Sequence, residues 1–96
     1  MRLRLTPGAQ RDMEDLRSYL LPLSRLGAEN VRLSIEGSLD LLGRLPRAGR
    51  ATDIPSIRML PVIRYPYLIY YTLTSDEVVV VHIRHASRAA PKFDDF

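Results

Sequence analysis

Two runs of β-branched and aromatic residues, joined by a short polar turn, dominate the C-terminal half of the chain. The first run lies within residues 57–74, the turn is Ser75-Asp76, and the second run occupies residues 77–88. Residues of these types favour strands, and a short polar connection between two strands is typical of an antiparallel hairpin. The sequence therefore predicts a short strand at 57–60, followed by a long β-hairpin that ends near Arg88.

The second strand of this hairpin is apolar on both faces for most of its length. Strict alternation along a strand divides its side chains into two sets: Val79, Val81, Ile83 and His85 on one face, and Val78, Val80, His82 and Arg84 on the other. One face is expected to cover the protein's own core. The other needs a second cover, which we interpret as a docking surface for a partner protein, with a homodimer interface as the alternative.

The N-terminal half predicts one strand followed by two helices. Residues 1–5 alternate apolar and basic side chains, and Thr6-Pro7 resembles a helix N-cap followed by proline at the first helical position. We expect the first helix to end near Leu21, before Pro22, and the second to run from about 28 to 43–45. Apolar residues recur at helical spacing in both helices: Met13, Leu16, Leu20 and Leu23, then Val31, Ile35, Leu39 and Leu42.

These segments together predict an α+β fold. A loop at 45–55, with two prolines and three arginines nearby, connects the helices to the strands. Residues 89–96 lack any periodicity and are expected to form a flexible tail. The predicted architecture is an N-terminal strand, an α-helical hairpin and a three-stranded antiparallel meander in one sheet. The order is β-α-α-β-β-β, and we expect a single domain over residues 1–96.

Composition excludes several classes of protein. The chain has no cysteine, which rules out disulfides and thiolate zinc sites and is compatible with a reducing cytoplasm. No signal-peptide pattern and no apolar run of about 18 residues is present, so we expect a cytoplasmic protein that does not span a membrane. The net charge is +3, and every basic residue except Lys92 is arginine. Arginine suits carboxylates and phosphates, although GC-rich codon usage explains the same bias.

Several short motifs, taken in their order and spacing, resemble the RelE/ParE superfamily of bacterial toxins from type II toxin–antitoxin systems. The motifs are Leu3-Arg4-Leu5-Thr6-Pro7, Asp15-Leu16 with Tyr19, Leu45-Pro46-Arg47-Ala48-Gly49-Arg50, Arg58-x-Leu60-Pro61, Arg64-Tyr65-Pro66-Tyr67-Leu68-Ile69-Tyr70-Tyr71 and Val80-Val81-His82-Ile83-Arg84-His85-Ala86-Ser87-Arg88. Within the superfamily the chain looks like the ParE branch, whose strands end in a similar His-x-x-Arg. It departs from the family's pattern at residues 21–27 and in the tail, and toxicity in this branch is associated with the tail.

The resemblance implies a non-enzymatic toxin that inhibits DNA gyrase and is neutralised by a ParD-like antitoxin, whose C-terminal segment wraps the toxin. The alternative is the RelE branch, which cuts messenger RNA in the ribosome. That reaction needs groups that activate a ribose hydroxyl, stabilise charge and protonate the leaving oxygen. The RNA-cutting relatives have a tyrosine or a His-Tyr pair near the chain end, whereas Ala86-Ser87 follows His85 here.

Other kinds of site find little support in the sequence. His82 and His85 are three residues apart, and an odd offset on a strand points them to opposite faces, so no metal site is predicted. Neither helix has the pattern of a recognition helix, so no direct sequence-specific nucleic-acid binding is expected. The tyrosines of the hairpin suit either core packing or a stacking platform for single strands, and we favour core packing.

Partner binding is the best physical account of the remaining polar residues. Arginines around an apolar surface pair with acidic residues of a partner and increase the rate and specificity of association. We expect no catalytic residue, metal ligand or cofactor. The predicted antitoxin-binding or target-binding residues are Arg58, Arg64, Tyr67, Arg84, His85 and Arg88.

Overall fold

A computed structural model describes residues 1–93 of the chain. The elements in order are β1 (Arg2–Leu5), α1 (Pro7–Leu20), α2 (Arg25–Arg44), β2 (Arg50–Ala51), β3 (Arg58–Pro61), β4 (Tyr67–Leu73) and β5 (Glu77–His85). They form one sheet in the order β1-β5-β4-β3-β2. β1 lies parallel to β5, and the other neighbours are antiparallel. The predicted α+β class and the three-stranded meander are confirmed.

Within residues 1–93 the sheet has five strands, one more than the sequence predicted. The additional strand is β2, which pairs with β3 over only two residues. It lies inside the predicted loop at 45–55, where no run of strand-forming residues signals it. Its pairing depends on the loop folding back alongside β3, which is a tertiary arrangement rather than a local propensity.

Both helices begin at a capping side chain. The Thr6 hydroxyl accepts a hydrogen bond from the Ala9 N–H at 3.1 Å and donates one to the Val81 carbonyl at 3.0 Å. The Ser24 hydroxyl accepts from the Gly27 N–H at 2.9 Å. Because this cap supplies an acceptor for the first turn, α2 begins at Arg25, three residues before the predicted start.

A β-bulge in β5 changes which side chains face the core. Tyr70 lies opposite His82 and the next residue of β4 lies opposite Val80, so Val81 has no partner of its own. An extra residue of this kind reverses the alternation of side chains beyond it. The predicted division of β5 into two faces is therefore wrong, since it assumed an uninterrupted strand. The core cluster takes β5 residues from both sides of the bulge: Val78, Val80 and Ile83.

The second face of β5 is not the open surface that the sequence suggested. Val79 and Val81 are 4% and 2% exposed. On the same face the Phe93 ring lies 5.5 Å from the Tyr70 ring and 5.9 Å from the His82 ring. Phe93 of the C-terminal tail thus covers part of this face. The predicted flexibility of the tail stays a prediction, and residues 94–96 of it lie outside the described residues.

Candidate functional site

A groove runs between α1, the start of α2 and the ends of β4 and β5. Its cavity has a volume of about 730 Å³. The floor is apolar and well buried, and it includes Val31, Tyr67 and Ile83. Charged side chains stand along the rim, with carboxylates on α1 and basic groups beyond the bulge of β5: Asp12, Asp15, Arg84, His85 and Arg88. We call this the α1–β5 groove.

The outer edge of β5 needs partners beyond Val80, because β1 ends opposite that residue. Residues just before α1 and within it supply these partners. The Thr6 N–H donates to the Val80 carbonyl at 2.9 Å, and Asp12 Oδ2 accepts from the Ile83 N–H at 3.0 Å. An exposed strand edge is a site for unwanted pairing, and side chains of α1 cover part of this one. The same contacts hold α1 at a fixed distance from the strand and so define one wall of the groove.

Asp12 is the centre of a small polar cluster at this wall. Besides the Ile83 N–H, its Oδ2 atom lies 2.9 Å from His82 Nδ1 and 3.9 Å from Arg84 Nε. The Arg84 Nε atom is enclosed and has no hydrogen-bond partner among the described residues. The Asp12 carboxylate is therefore already occupied by the fold, which makes it a positioning group for β5 rather than a free acid or base.

His85 is held in one orientation at the end of β5. Its ring contacts the Tyr67 ring edge-on, with 5.2 Å between centroids. Nδ1 accepts a hydrogen bond from the Ser87 N–H at 3.1 Å and lies 2.7 Å from the Ser87 hydroxyl. Because Nδ1 is the acceptor, the neutral ring carries its proton on Nε2. These bonds give His85 a structural role at the end of the strand, and they leave an Nε2–H donor.

Burial raises the pKa of the Tyr67 phenol above its ordinary value, with a smaller contribution from the nearby Tyr19. The Tyr67 side chain sits in the floor of the groove and is only 8% exposed. A raised pKa keeps the hydroxyl protonated near neutral pH. Tyr67 therefore offers an apolar ring and a neutral hydroxyl to anything that enters the groove.

The structure brings together four of the six residues predicted to bind a partner, namely Tyr67, Arg84, His85 and Arg88. Arg58 lies elsewhere, on β3, where its guanidinium donates to the Gly49 carbonyl at 2.7 and 3.1 Å and to the Arg47 carbonyl at 3.3 Å. Arg64 lies in the β3–β4 connection, outside the groove. These two placements separate the predicted set into three locations.

The α1 wall of the groove is not among the predicted binding residues, although Asp15 and Tyr19 belong to a motif that resembles the family. Asp12, Asp15 and Tyr19 line it, together with Tyr65 from the β3–β4 connection. A signal for the helical residues was present, because positions 12, 15 and 19 follow one another at helical spacing beside the apolar stripe. Tyr65 also belongs to one of the motifs, but its place at the groove depends on how the β3–β4 connection packs against α2.

Two features are not found among the described residues: a group of metal-ligating side chains and a membrane-spanning helix. Within residues 1–93, no three His, Cys, Asp or Glu side chains are grouped so as to hold a metal. No helix in this part of the chain is long and apolar enough to cross a membrane. What the groove does offer is an apolar floor bordered by charges, which is the usual form of a protein-binding or ligand-binding surface.

Comparison with known proteins identifies the family. A family model described as the ParE toxin of type II toxin–antitoxin systems, parDE, matches residues 3–90. The chain belongs to the ParE toxin family. It is a toxin of a type II toxin–antitoxin system, as the sequence motifs indicated, and an antitoxin is the partner expected of such a protein. The matched region includes all the residues of the groove and every element of the fold, apart from the first residue of β1.

Individual relatives agree with this assignment. Y4kP of Sinorhizobium fredii (strain NBRC 101917 / NGR234), a protein named as a candidate toxin, is 30% identical over 91 residues, which cover 95% of this chain and 94% of that protein. A structure described as a chromosomal ParDE system from P. aeruginosa matches with a TM-score of 0.79 at 21% identity, covering 91% of this chain and 97% of the other. The solution structure of HP0894 from Helicobacter pylori matches with a TM-score of 0.58 at 18% identity, covering 91% and 96%. These two structures establish the similarity of fold.

Proposed function

We propose that this ParE-family toxin arrests growth by binding DNA gyrase in the cytoplasm, and that a ParD-like antitoxin neutralises it. The gyrase part of the proposal rests on membership of the family. The antitoxin part rests on the α1–β5 groove, an apolar cavity with arginines along one side. In this proposal an amphipathic, acidic segment of the antitoxin lies in the groove.

The chemistry of the groove fits such a segment. Apolar side chains of the antitoxin would cover Val31, Tyr67 and Ile83, which form the floor. Acidic side chains would pair with Arg84 and Arg88 on the β5 side. The recognition of an amphipathic helix by a groove depends on this combination of an apolar stripe and flanking charges. A segment that wraps the toxin in this way would bury on the order of 1,200–2,000 Å² or more in total.

The state of the groove's titratable groups supports a non-enzymatic mode of action. Messenger RNA cleavage needs a positioned base and acid. Asp12 is engaged by the backbone of β5, and the pKa of Tyr67 is raised, which disfavours the phenolate that a base would need. His85 Nδ1 already accepts hydrogen bonds from Ser87. We therefore propose binding rather than catalysis as the source of toxicity.

A supercoiling assay with purified gyrase tests the proposed target. We expect the toxin to inhibit supercoiling in proportion to its concentration, and the antitoxin encoded by the neighbouring gene to restore it when added first. Toxin that has been heat-denatured serves as the control. Normal supercoiling at saturating toxin would exclude gyrase. Ribosome-dependent cleavage of messenger RNA, lost on His85→Ala, would favour the RelE-like alternative instead.

A further inference from the structure

A second cleft lies between α2 and the connection from β3 to β4. It has a volume of about 610 Å³ and is lined by residues of both segments. Tyr65 lines this cleft and also lines the α1–β5 groove. The two depressions therefore share a wall, and a partner segment leaving the groove reaches the second cleft by passing Tyr65. We call this surface the α2 cleft.

The β3–β4 connection has an unusual backbone at the α2 cleft. Arg64 adopts a φ of 76°, in the left-handed region that glycine prefers. The preceding residue is tied to the helix, since the Ser34 hydroxyl donates to the Ile63 carbonyl at 2.6 Å. A non-glycine residue in this conformation costs conformational energy, and such strain is concentrated at functional positions. In this conformation the Arg64 side chain lines the cleft beside α2.

The chemistry of the α2 cleft differs from that of the groove. Its charged lining residues are Arg44 and Arg64, and no carboxylate lines it. Two apolar side chains at its border are largely exposed, Leu33 at 52% and Ile63 at 69%. Between them α2 presents small residues, and a Cβ added at Gly37 would meet no atom within 4 Å. The cleft thus combines uncompensated positive charge, exposed apolar side chains and an accessible helix surface.

We propose that the α2 cleft is a second antitoxin-binding site, occupied by a continuation of the same antitoxin segment past Tyr65. An acidic residue of that continuation pairs with Arg64 and Arg44, and an apolar residue covers Leu33 and Ile63. The inference rests on the proposed function, because it requires the antitoxin to occupy the groove. Charge complementarity and the shared wall at Tyr65 favour this occupant over a second copy of the toxin.

The variant Arg64→Gly separates binding from folding. Glycine adopts a φ of 76° without strain, so the melting temperature is expected to stay the same or rise. The same change removes the positive charge from the cleft, so the affinity for the full-length antitoxin of the neighbouring gene is expected to fall about tenfold. A purely structural role for Arg64 would not produce this combination. Arg11→Gln is the matched control, because Arg11 is exposed on α1 and lines neither depression.

Isothermal titration calorimetry with Arg64→Gly, Arg11→Gln and the groove variant Arg88→Glu distinguishes the outcomes. If Arg88→Glu weakens binding and Arg64→Gly does not, the second site is wrong and the groove proposal stands. If the unmodified toxin does not bind the antitoxin at all, both proposals are wrong. If sedimentation shows a toxin dimer that Arg64→Gly dissociates, the cleft serves a second copy of the toxin, and the inference is overturned.

Discussion

Arginines at two places in this toxin illustrate two different uses of the same side chain. Arg58 directs its guanidinium inward, onto the carbonyls of Gly49 and Arg47, and so fastens the loop before β2 to the sheet. Arg88 is exposed at the rim of the α1–β5 groove, where its guanidinium does not fasten a loop as that of Arg58 does. Both carry the same charge and belong to motifs that resemble the family.

The difference lies in what surrounds each guanidinium. Arg58 stands beside the partly buried carbonyl of Gly49 and the exposed carbonyl of Arg47, and a guanidinium supplies five N–H groups for such acceptors. The same loop is fastened a second time by Tyr71, whose hydroxyl accepts from the Gly49 N–H at 2.9 Å and donates to the Pro46 carbonyl at 2.8 Å. We call this arrangement the loop clamp. Arg88 lies beyond β5, next to an apolar cavity, and its donors remain available to a partner.

The largest effect is expected from placing a methyl group inside the loop clamp. In Gly49→Ala the new Cβ would meet Tyr71 Oη at 2.6 Å and the Met59 carbonyl oxygen at 2.9 Å. Neither the enclosed ring nor the backbone of β3 has room to move, so we expect unfolding to become easier by about 3 kcal/mol. Thermal or urea denaturation measures this directly.

Gly37→Ala is the matched control for that substitution. The added methyl group meets nothing within 4 Å, and the position is inside α2. Alanine is a better helix former, so this variant is expected to gain about 0.5–1 kcal/mol. Equal destabilisation by both substitutions would contradict the special role assigned to the loop clamp.

Variants of Arg58 and Arg88 test whether the first arginine stabilises the fold and the second binds the antitoxin. Arg58→Ala removes hydrogen bonds from a charged donor to loop carbonyls, so we expect a loss of about 2 kcal/mol of stability. The affinity of the folded fraction for the antitoxin should be little changed. Arg88→Glu should leave the melting temperature within about 2 °C of the parent and weaken antitoxin binding about tenfold.

Calorimetry of unfolding and of binding on the same samples checks both halves of this prediction. Arg11→Glu, an exposed charge reversal on α1, controls for a general change in electrostatic attraction. Reduced antitoxin affinity in folded Arg58→Ala would place Arg58 in the interface after all, as the sequence first suggested. Unchanged affinity in Arg88→Glu would remove Arg88 from it.

The smallest expected effect is on how the free energy of unfolding declines at alkaline pH. The pKa of Tyr67 is higher in the folded protein than in the unfolded chain, because burial disfavours the phenolate. The unfolded chain therefore loses this proton first, near pH 10, and the stability associated with it is present below that pH and declines above it. Tyr67→Phe should show a shallower decline above pH 10 than the parent protein. Equal slopes in denaturation curves between pH 9 and 11 would contradict the assignment.

Periodicity and capping residues were sufficient to predict the helices, the meander and the α+β class. The apolar stripes of α1 and α2 and the Thr6-Pro7 start are local features of the sequence. A helix with such features forms in any fold that buries its apolar face. The family could also be inferred, because its motifs follow the chain in order. The start of α2 was predicted less well, because whether Ser24 caps the helix depends on the conformation of the connection at 21–24.

Four of the six predicted binding residues meet at one groove, although the predicted division of β5 into two faces was wrong. The reason is the bulge at Val81. One extra residue exchanges the faces of β5 beyond it, and nothing in the run of valines marks where this occurs. Phe93 of the tail then packs on part of the face that the sequence left open, against Tyr70 and His82.

By itself, therefore, the sequence determined the class of fold, the order of its elements and the toxin family, since all three depend on patterns local to the chain. Only the tertiary structure decided that Arg58 fastens a loop, that Asp12 holds the edge of β5, and that Arg88 and Tyr67 share a groove. Each of these depends on residues far apart in sequence coming within hydrogen-bonding or packing distance. Side-chain chemistry sets what an arginine is able to bind, and the fold sets what is left for it to bind.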